Sequence, residues 1–300
     1  MSFSVFPDAS LGPLSLGPQQ ISAPLDFPEL AGGTPPTVYL RIVMLGPGCR
    51  PPDAGQGPTF QLRAGTGDPV EPALDGDALF VYDNPQGNPP PVAQAQLFLQ
   101  PENVYAINIT VYTPGSSWQL RIGNKDDTER TFTWVVADNE ADSARPWLNL
   151  PQVLNFDGDV GTVVTRSLDV PNLGTGKLTI SLGGLDDPRF SIQFPPADIV
   201  PNHCGKMTIA FHSPDSEGRT AGLYTANSND AQATESAHHN NLIHLQAKTT
   251  RPDQPLPDVS PCRVCHPNRC PDFVGHSGGD LHAKCERSVC QHIWASHLQY

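Results

Sequence analysis

Asp169-Val170-Pro171-Asn172-Leu173-Gly174-Thr175-Gly176-Lys177-Leu178-Thr179-Ile180 is the stretch from which the fold can be read. Just before and into it, Leu168 and Val170 alternate with Ser167 and Asp169. Towards its end and beyond, Leu178, Ile180 and Leu182 alternate with Thr179 and Ser181. A period of two sends successive side chains to opposite faces, which marks a half-buried strand. Between the two runs, Asn172 to Gly176 gathers turn-forming residues: Gly tolerates positive φ, and an Asn side chain bonds its own backbone. The stretch predicts strand, turn, strand.

The same pattern continues outward. Met207, Ile209 and Phe211 alternate with Thr208 and Ala210, and Ile243, Leu245 and Ala247 alternate with His244 and Gln246. Turn signals fall between the runs at Asp157-Gly158-Asp159, Gly183-Gly184, Pro195-Pro196 and Asn227-Ser228-Asn229-Asp230. Short strands at this spacing predict a β-sandwich over residues 147–250. Residues 36–146 repeat the style. Val38, Leu40, Ile42 and Met44 oppose Tyr39, Arg41 and Val43; further alternating runs lie at Ile107–Val111, Trp118–Ile122 and Phe132–Val136. Gly123 to Asp127 is a turn cluster, and the Pro/Gly-rich segments 46–58 and 83–91 read as long loops. The 33 prolines and 26 glycines argue against long helices.

Residues 148–250 resemble a known family. Leu154-Asn155-Phe156-Asp157-Gly158-Asp159-Val160-Gly161 is similar to the first strand and turn of the ASH module. This is the immunoglobulin-like domain shared by abnormal-spindle and hydin proteins and related to the major sperm protein fold. Asp169–Ile180 resembles the family's hallmark strand, Asn-x-Gly turn and second strand. Phe190-Ser191-Ile192, Ile199-Val200-Pro201 and Ile209-Ala210-Phe211-His212-Ser213-Pro214 extend the match. The resemblance implies an immunoglobulin-like sandwich that serves as a spacer or docking surface. The first sandwich is compatible with a diverged copy, through Trp118–Asn124 and Phe132-Thr133-Trp134.

The expected fold class is all-β: two tandem immunoglobulin-like β-sandwiches plus a small Cys/His-rich metal-binding tail. The expected order is an extended N-terminal arm (1–35), the diverged sandwich (36–146), the ASH-type sandwich (147–250), a Pro-rich linker (251–260) and the tail (261–300). The arm reads either as a loose terminus or as a segment lying on a neighbouring subunit. Arg145-Pro146-Trp147 and Pro151 mark the junction. So short a linker predicts sandwiches stacked end to end with restricted freedom.

The tail carries the chemistry. Five of the seven cysteines lie between Cys262 and Cys290, and five of the ten histidines between His266 and His297. The segment has few large apolar residues, so a cross-link must hold it. Structural zinc is the expected cofactor. Cys262-x2-Cys265 places two thiolates on one tight turn, each at about 2.3 Å from the ion. The second pair comes from His282, Cys285 and Cys290. On a helix, His282 and Cys285 share a face, whereas Cys285 and Cys290 sit about 140° apart. Disulfides are the first alternative, with one cysteine of the cluster left over. A c-type haem is the second, on the literal pattern Cys262-Arg263-Val264-Cys265-His266. Cys49 and Cys204, far apart in the sandwich segments, are expected to be buried or unpaired.

The formal net charge of −13 and the absence of a basic run disfavour a nucleic-acid partner. No stretch reaches the ~20 apolar residues of a membrane helix, and residues 1–8 do not form a Sec signal. The expectation is a cytoplasmic protein, or part of a particle assembled in the cytoplasm. Its expected partners are other proteins in an assembly, or further copies of itself joined through the arm. Gly275-His276-Ser277-Gly278-Gly279 spells Gly-x-Ser-x-Gly, but its His and Ser and the following Asp280 are adjacent residues that cannot build a triad among themselves. It reads as a Gly-rich loop between the two halves of the zinc site. His-Glu-x-x-His and P-loop motifs are absent from the chain, and a non-catalytic scaffold is the expected function. Two rivals remain. One is a metal-dependent hydrolase or toxin tip, carried on the sandwiches, with Asp272, Asp280 or Glu286 as the carboxylate base. The other is a carbohydrate-binding adhesin stacking sugars on Tyr82, Trp118, Trp134 or Trp147, although the alternation places Trp118 and Trp134 in the core. His238-His239-Asn240-Asn241 reads as a solvated loop tip.

Overall fold

The strands come from alternating apolar residues, and the breaks between them from Pro, Gly and Asn. The computed structural model describes residues 4–5, 13–27, 37–49, 57–84, 86, 89–194, 198–234 and 238–251. These belong to one compact unit, Met1–Pro252. The protein is all-β: among the described residues helical structure is confined to the 3-10 turns Pro47–Cys49, Pro101–Asn103 and Ala141–Ser143.

The first body contains β1 (Ser4–Val5), β2 (Leu14–Leu16), β3 (Leu25–Phe27), β4 (Thr37–Leu45), β5 (Thr59–Ala64), β6 (Leu79–Val81), β7 (Ala93–Gln100), β8 (Val104–Val111), β9 (Trp118–Gly123) and β10 (Arg130–Ala137). One sheet runs β1-β10-β4-β8-β7-β6, with β2 also on β10; the other runs β3-β9-β5. Leu40, Ile42, Met44 and Ile107 from the first sheet meet Phe60, Leu62, Trp118 and Leu120 from the second in one core. The opposite face of β4 is also covered: Arg41 is 2% and Val43 0% exposed.

The N-terminal arm, where described, lies on its own chain. Leu14 and Leu16 pair with Phe132 and Arg130, and Leu25 pairs with Leu120. The arm thus crosses from one sheet to the other. The Gly123–Asp127 turn anchors it. Asn124, 1% exposed, donates from Nδ2 to the carbonyls of Leu16 and Gly17, both at 3.0 Å. Beneath it lies a buried ion pair, Asp126–Arg130, with each side chain 1% exposed. Burial pushes the Asp126 carboxyl up. Hydrogen bonds from the Arg130 guanidinium, Asp127 and the Thr128 N–H, together with the Arg130 charge, pull it down further, to a net value below the ordinary one.

The second body contains β11 (Val153–Asp159), β12 (Val163–Pro171), β13 (Leu178–Leu185), β14 (Phe190–Phe194), β15 (Asp198–Ile199), β16 (Cys204–His212), β17 (Gly218–Ser228) and β18 (Leu242–Thr250). Its sheets run β11-β18-β17-β13-β15 and β12-β16-β14. The β11–β18 pair is parallel. Phe156, Phe190 and Phe211 form a tilted aromatic cluster with centroids 5.0–6.0 Å apart, packed with Met207, Ile209, Tyr224 and Leu245.

Two turn readings change. Asp157-Gly158-Asp159 continues β11. Gly183-Gly184 lies within β13, where the register against β17 shifts between Ser181 and Gly184. A Cβ at Gly183 would collide with the Thr225 carbonyl, so the glycine marks a bulge rather than a chain reversal.

Candidate functional site at the junction of the two sandwiches

The Asn172–Gly176 turn points into protein. Each of its five residues is buried. The Asn172 carboxamide organises it. Nδ2 donates to the carbonyls of Gly176 and Ile199, both at 2.8 Å. Oδ1 accepts from the Gly174 N–H at 2.9 Å and the Trp147 N–H at 3.4 Å. Thr175 Oγ1 donates to the Ser143 carbonyl and accepts from the Arg145 N–H at 3.0 Å. A Cβ on Gly174 would strike the Arg145 carbonyl and the Trp147 nitrogen. Only glycine lets the connecting segment pass so close.

Three further contacts tie the bodies together. Leu173 shares a small apolar cluster with Leu45 and Trp147, against which Cys49 and Cys204 pack. Thr133 Oγ1, on β10, donates to the Leu173 carbonyl. Asn202, 0% exposed, donates from Nδ2 to the carbonyls of Glu102 (2.8 Å) and Asn103 (2.7 Å) at the β7–β8 turn. Those two residues and Asn202 itself have left-handed φ of 63°, 57° and 61°. The side-chain clamp holds a backbone shape that L residues rarely adopt.

The covalent tie overturns an expectation. Cys49 and Cys204, read as buried or unpaired, form a disulfide with Cα atoms 5.6 Å apart, within the usual range for such a bridge. Cys49 ends the 3-10 turn after β4, and Cys204 opens β16. The register of each sandwich brings them together.

Trp147 fills the centre. It is 0% exposed, its Nε1–H donates to the His238 carbonyl at 2.6 Å, and its ring stacks on His239 with centroids 4.0 Å apart. His239 Nδ1 is 3.4 Å from Asp230 Oδ2, which also accepts from the Leu148 N–H at 2.9 Å. Asn240 Nδ2 donates to the Leu150 carbonyl at 2.9 Å. His239 and Asn240 are each 1% exposed, so this polar run is a buried clasp rather than a solvated tip. The same burial removes Trp147 and Trp118, at 0% and 1% exposed, as sugar-stacking surfaces.

Above the junction, Arg41 donates from Nη1 to Asn108 Oδ1 at 3.0 Å and lies 3.7 Å from Glu140. Desolvation lowers the Arg41 guanidinium from its ordinary value, against the pull of Glu140 and Tyr39. The arrangement is mechanical. It fixes two sandwiches against each other through one covalent bond, two Asn clamps and a buried Trp.

The expected zinc ligands Cys262, Cys265, His282, Cys285 and Cys290 lie outside the described residues, as do His266, Asp272, Asp280 and Glu286. Among the described residues no group of three or more His, Cys, Asp or Glu side chains is placed to hold a metal ion. No helix among them is long and apolar enough to cross a membrane. Asn202 was missed from sequence, and Cys49 and Cys204 were seen without their pairing. Asn172 was visible, but only as a turn residue.

No family model matches the chain, and no curated protein does. Solved structures resemble it weakly. The ASH/PapD-like domain 7 of human CEP192 is 14% identical, with a TM-score of 0.28, over 37% of this chain and 88% of that one. A protein of unknown function from Porphyromonas gingivalis W83 is 12% identical, with a TM-score of 0.30, over 77% of this chain and 100% of that one. The CARDB domain of a Pyrococcus furiosus protein is 17% identical, with a TM-score of 0.23, over 36% of this chain and 97% of that one.

Proposed function

We propose that the chain is a non-catalytic scaffold that mediates protein–protein contacts within a larger assembly, with a zinc-stabilised C-terminal interaction module. The observation that carries this reading is the junction. Domains on one chain move relative to each other by default unless the interface between them is extensive. Here the chain spends a disulfide, Asn172, Asn202 and a fully buried Trp147 on holding two sandwiches in one arrangement. A fixed spacing is what a spacer between partners requires. Cys262, Cys265 and a pair drawn from His282, Cys285 and Cys290 would hold the zinc. The disulfide bears on location: such bonds persist in oxidising surroundings and are rare in the cytosol. A particle assembled in the cytoplasm would carry these cysteines as thiols until it reached an oxidising medium.

The test is the mass of the protein purified from its source under non-dissociating conditions. A stoichiometric complex well above 32.3 kDa supports the proposal. A lone 32.3 kDa chain, or one that turns over a substrate, overturns it.

A further inference from the structure

The outer face of the β3-β9-β5 sheet holds an unusual charge arrangement. The register sets out two rows. Asp26, Gln119 and Arg63 lie side by side, and in the next outward row Arg121 lies beside Gln61. Val70 pairs with Leu62 along the free side of β5, which brings Pro69 beside Arg63 and Glu71 beside Gln61. In each row a glutamine takes the carboxylate. Gln119 Nε2 donates to Asp26 Oδ1 at 2.8 Å, and Gln61 Nε2 donates to Glu71 Oε1. The two guanidiniums are left as diagonal neighbours at the centre. Neither forms an ion pair among the described residues.

Gln61, Arg63, Pro69, Gln119 and Arg121 line a cleft of about 120 Å³. Arg63 Nε is shielded from solvent and has no acceptor among the described residues. A shielded donor without a partner has lost its hydration and gained nothing in return, and like charges on adjacent strands repel. An anion seated between the guanidiniums removes both penalties. What sets Arg63 and Arg121 apart is that both line one cleft and that Arg63 Nε there is shielded from solvent.

We propose that this cleft binds a carboxylate side chain presented by an acidic segment of a partner protein. The planar guanidinium fork matches a carboxylate in bidentate fashion, and the cleft's volume suits one carboxylate group rather than a folded surface. The proposal rests on the scaffold reading for one point, that the partner is a protein.

The test is a titration of the full chain with a short Glu-rich peptide with blocked termini, and separately with inorganic phosphate, followed by NMR of the arginine Nε–H resonances. The peptide is expected to shift Arg63 and Arg121, and binding should weaken at least tenfold in Arg63→Gln and in Arg121→Gln. Asp26→Asn, whose side-chain oxygen can still accept from Gln119 Nε2, should not weaken it. Peptide binding that persists in the double variant Arg63→Gln/Arg121→Gln overturns the site. Phosphate binding more tightly than the peptide overturns the carboxylate assignment. Either result leaves the mass of the native assembly, which tests the scaffold reading, unaffected.

Discussion

Cys49 and Cys204 are 155 residues apart in the chain and 5.6 Å apart at Cα. One leaves the end of β4 in the first sandwich; the other begins β16 in the second. The bond closes the junction that Asn172, Leu173 and Trp147 fill, so the stability of each sandwich is coupled to the other.

Replacing both cysteines, Cys49→Ser with Cys204→Ser, should cost about 2–4 kcal/mol, because the bridge restricts a long loop in the unfolded chain. Urea denaturation of the oxidised protein, the reduced protein and the double variant checks this. The reduced protein and the variant should unfold at the same, lower midpoint.

Trp147→Ala should be more damaging than any surface change, at about 3–5 kcal/mol. Trp147→Phe keeps most of the packing but loses the hydrogen bond to the His238 carbonyl, for about 1–3 kcal/mol. Thermal unfolding of both variants, followed by fluorescence and by far-UV circular dichroism, gives the comparison. Asn172→Ala belongs with them, since it strands buried carbonyl and N–H groups in the turn.

The Asp126–Arg130 pair makes stability depend on acid. The folded Asp126 carboxyl sits below its ordinary value of 3.8. A depressed folded value means that its contribution is complete above the unfolded value and is lost as pH falls through the folded one. Denaturation midpoints should therefore drop below about pH 4, and this component of the drop should vanish in Asp126→Asn. That variant itself should be destabilised by about 3–5 kcal/mol at neutral pH, because it removes the carboxylate paired with the buried Arg130 guanidinium.

Zinc is expected to bind the C-terminal segment and nowhere in the sandwiches. Native mass spectrometry should find the metal in the full chain, and a chelator should release it. Cys262→Ser with Cys265→Ser should abolish binding while leaving the thermal transition of the sandwiches in place. Metal retained by that variant would refute the ligand assignment. A Soret band in the purified protein would instead identify haem.

The strands were legible wherever one face of a sheet is buried. Ile243, Leu245 and Ala247 on β18 alternate with exposed His244 and Gln246 and lie in the core of the second sandwich. Legibility failed where both faces are covered. On β4 the alternation separates Arg41 and Val43 from Leu40 and Ile42, but it cannot tell that both faces are buried. It failed also at polar clusters. Asn124, Asp126 and Asn240 have the composition of solvated loops, but each is 1% exposed because its polar atoms are bonded from within.

Residue order alone determined that this chain would be all-β, because alternation and the placing of Pro, Gly and Asn act over a few neighbours and need no knowledge of the rest. It also located the turn at Asn172 and the cysteine cluster of the tail. Tertiary structure alone decided that Cys49 would meet Cys204, that the Asn172 turn would become a joint, and that Arg63 and Arg121 would share one cleft. Each of these depends on which strands pair and in what register. That is settled by the packing of both cores together, a cooperative outcome that no local stretch contains.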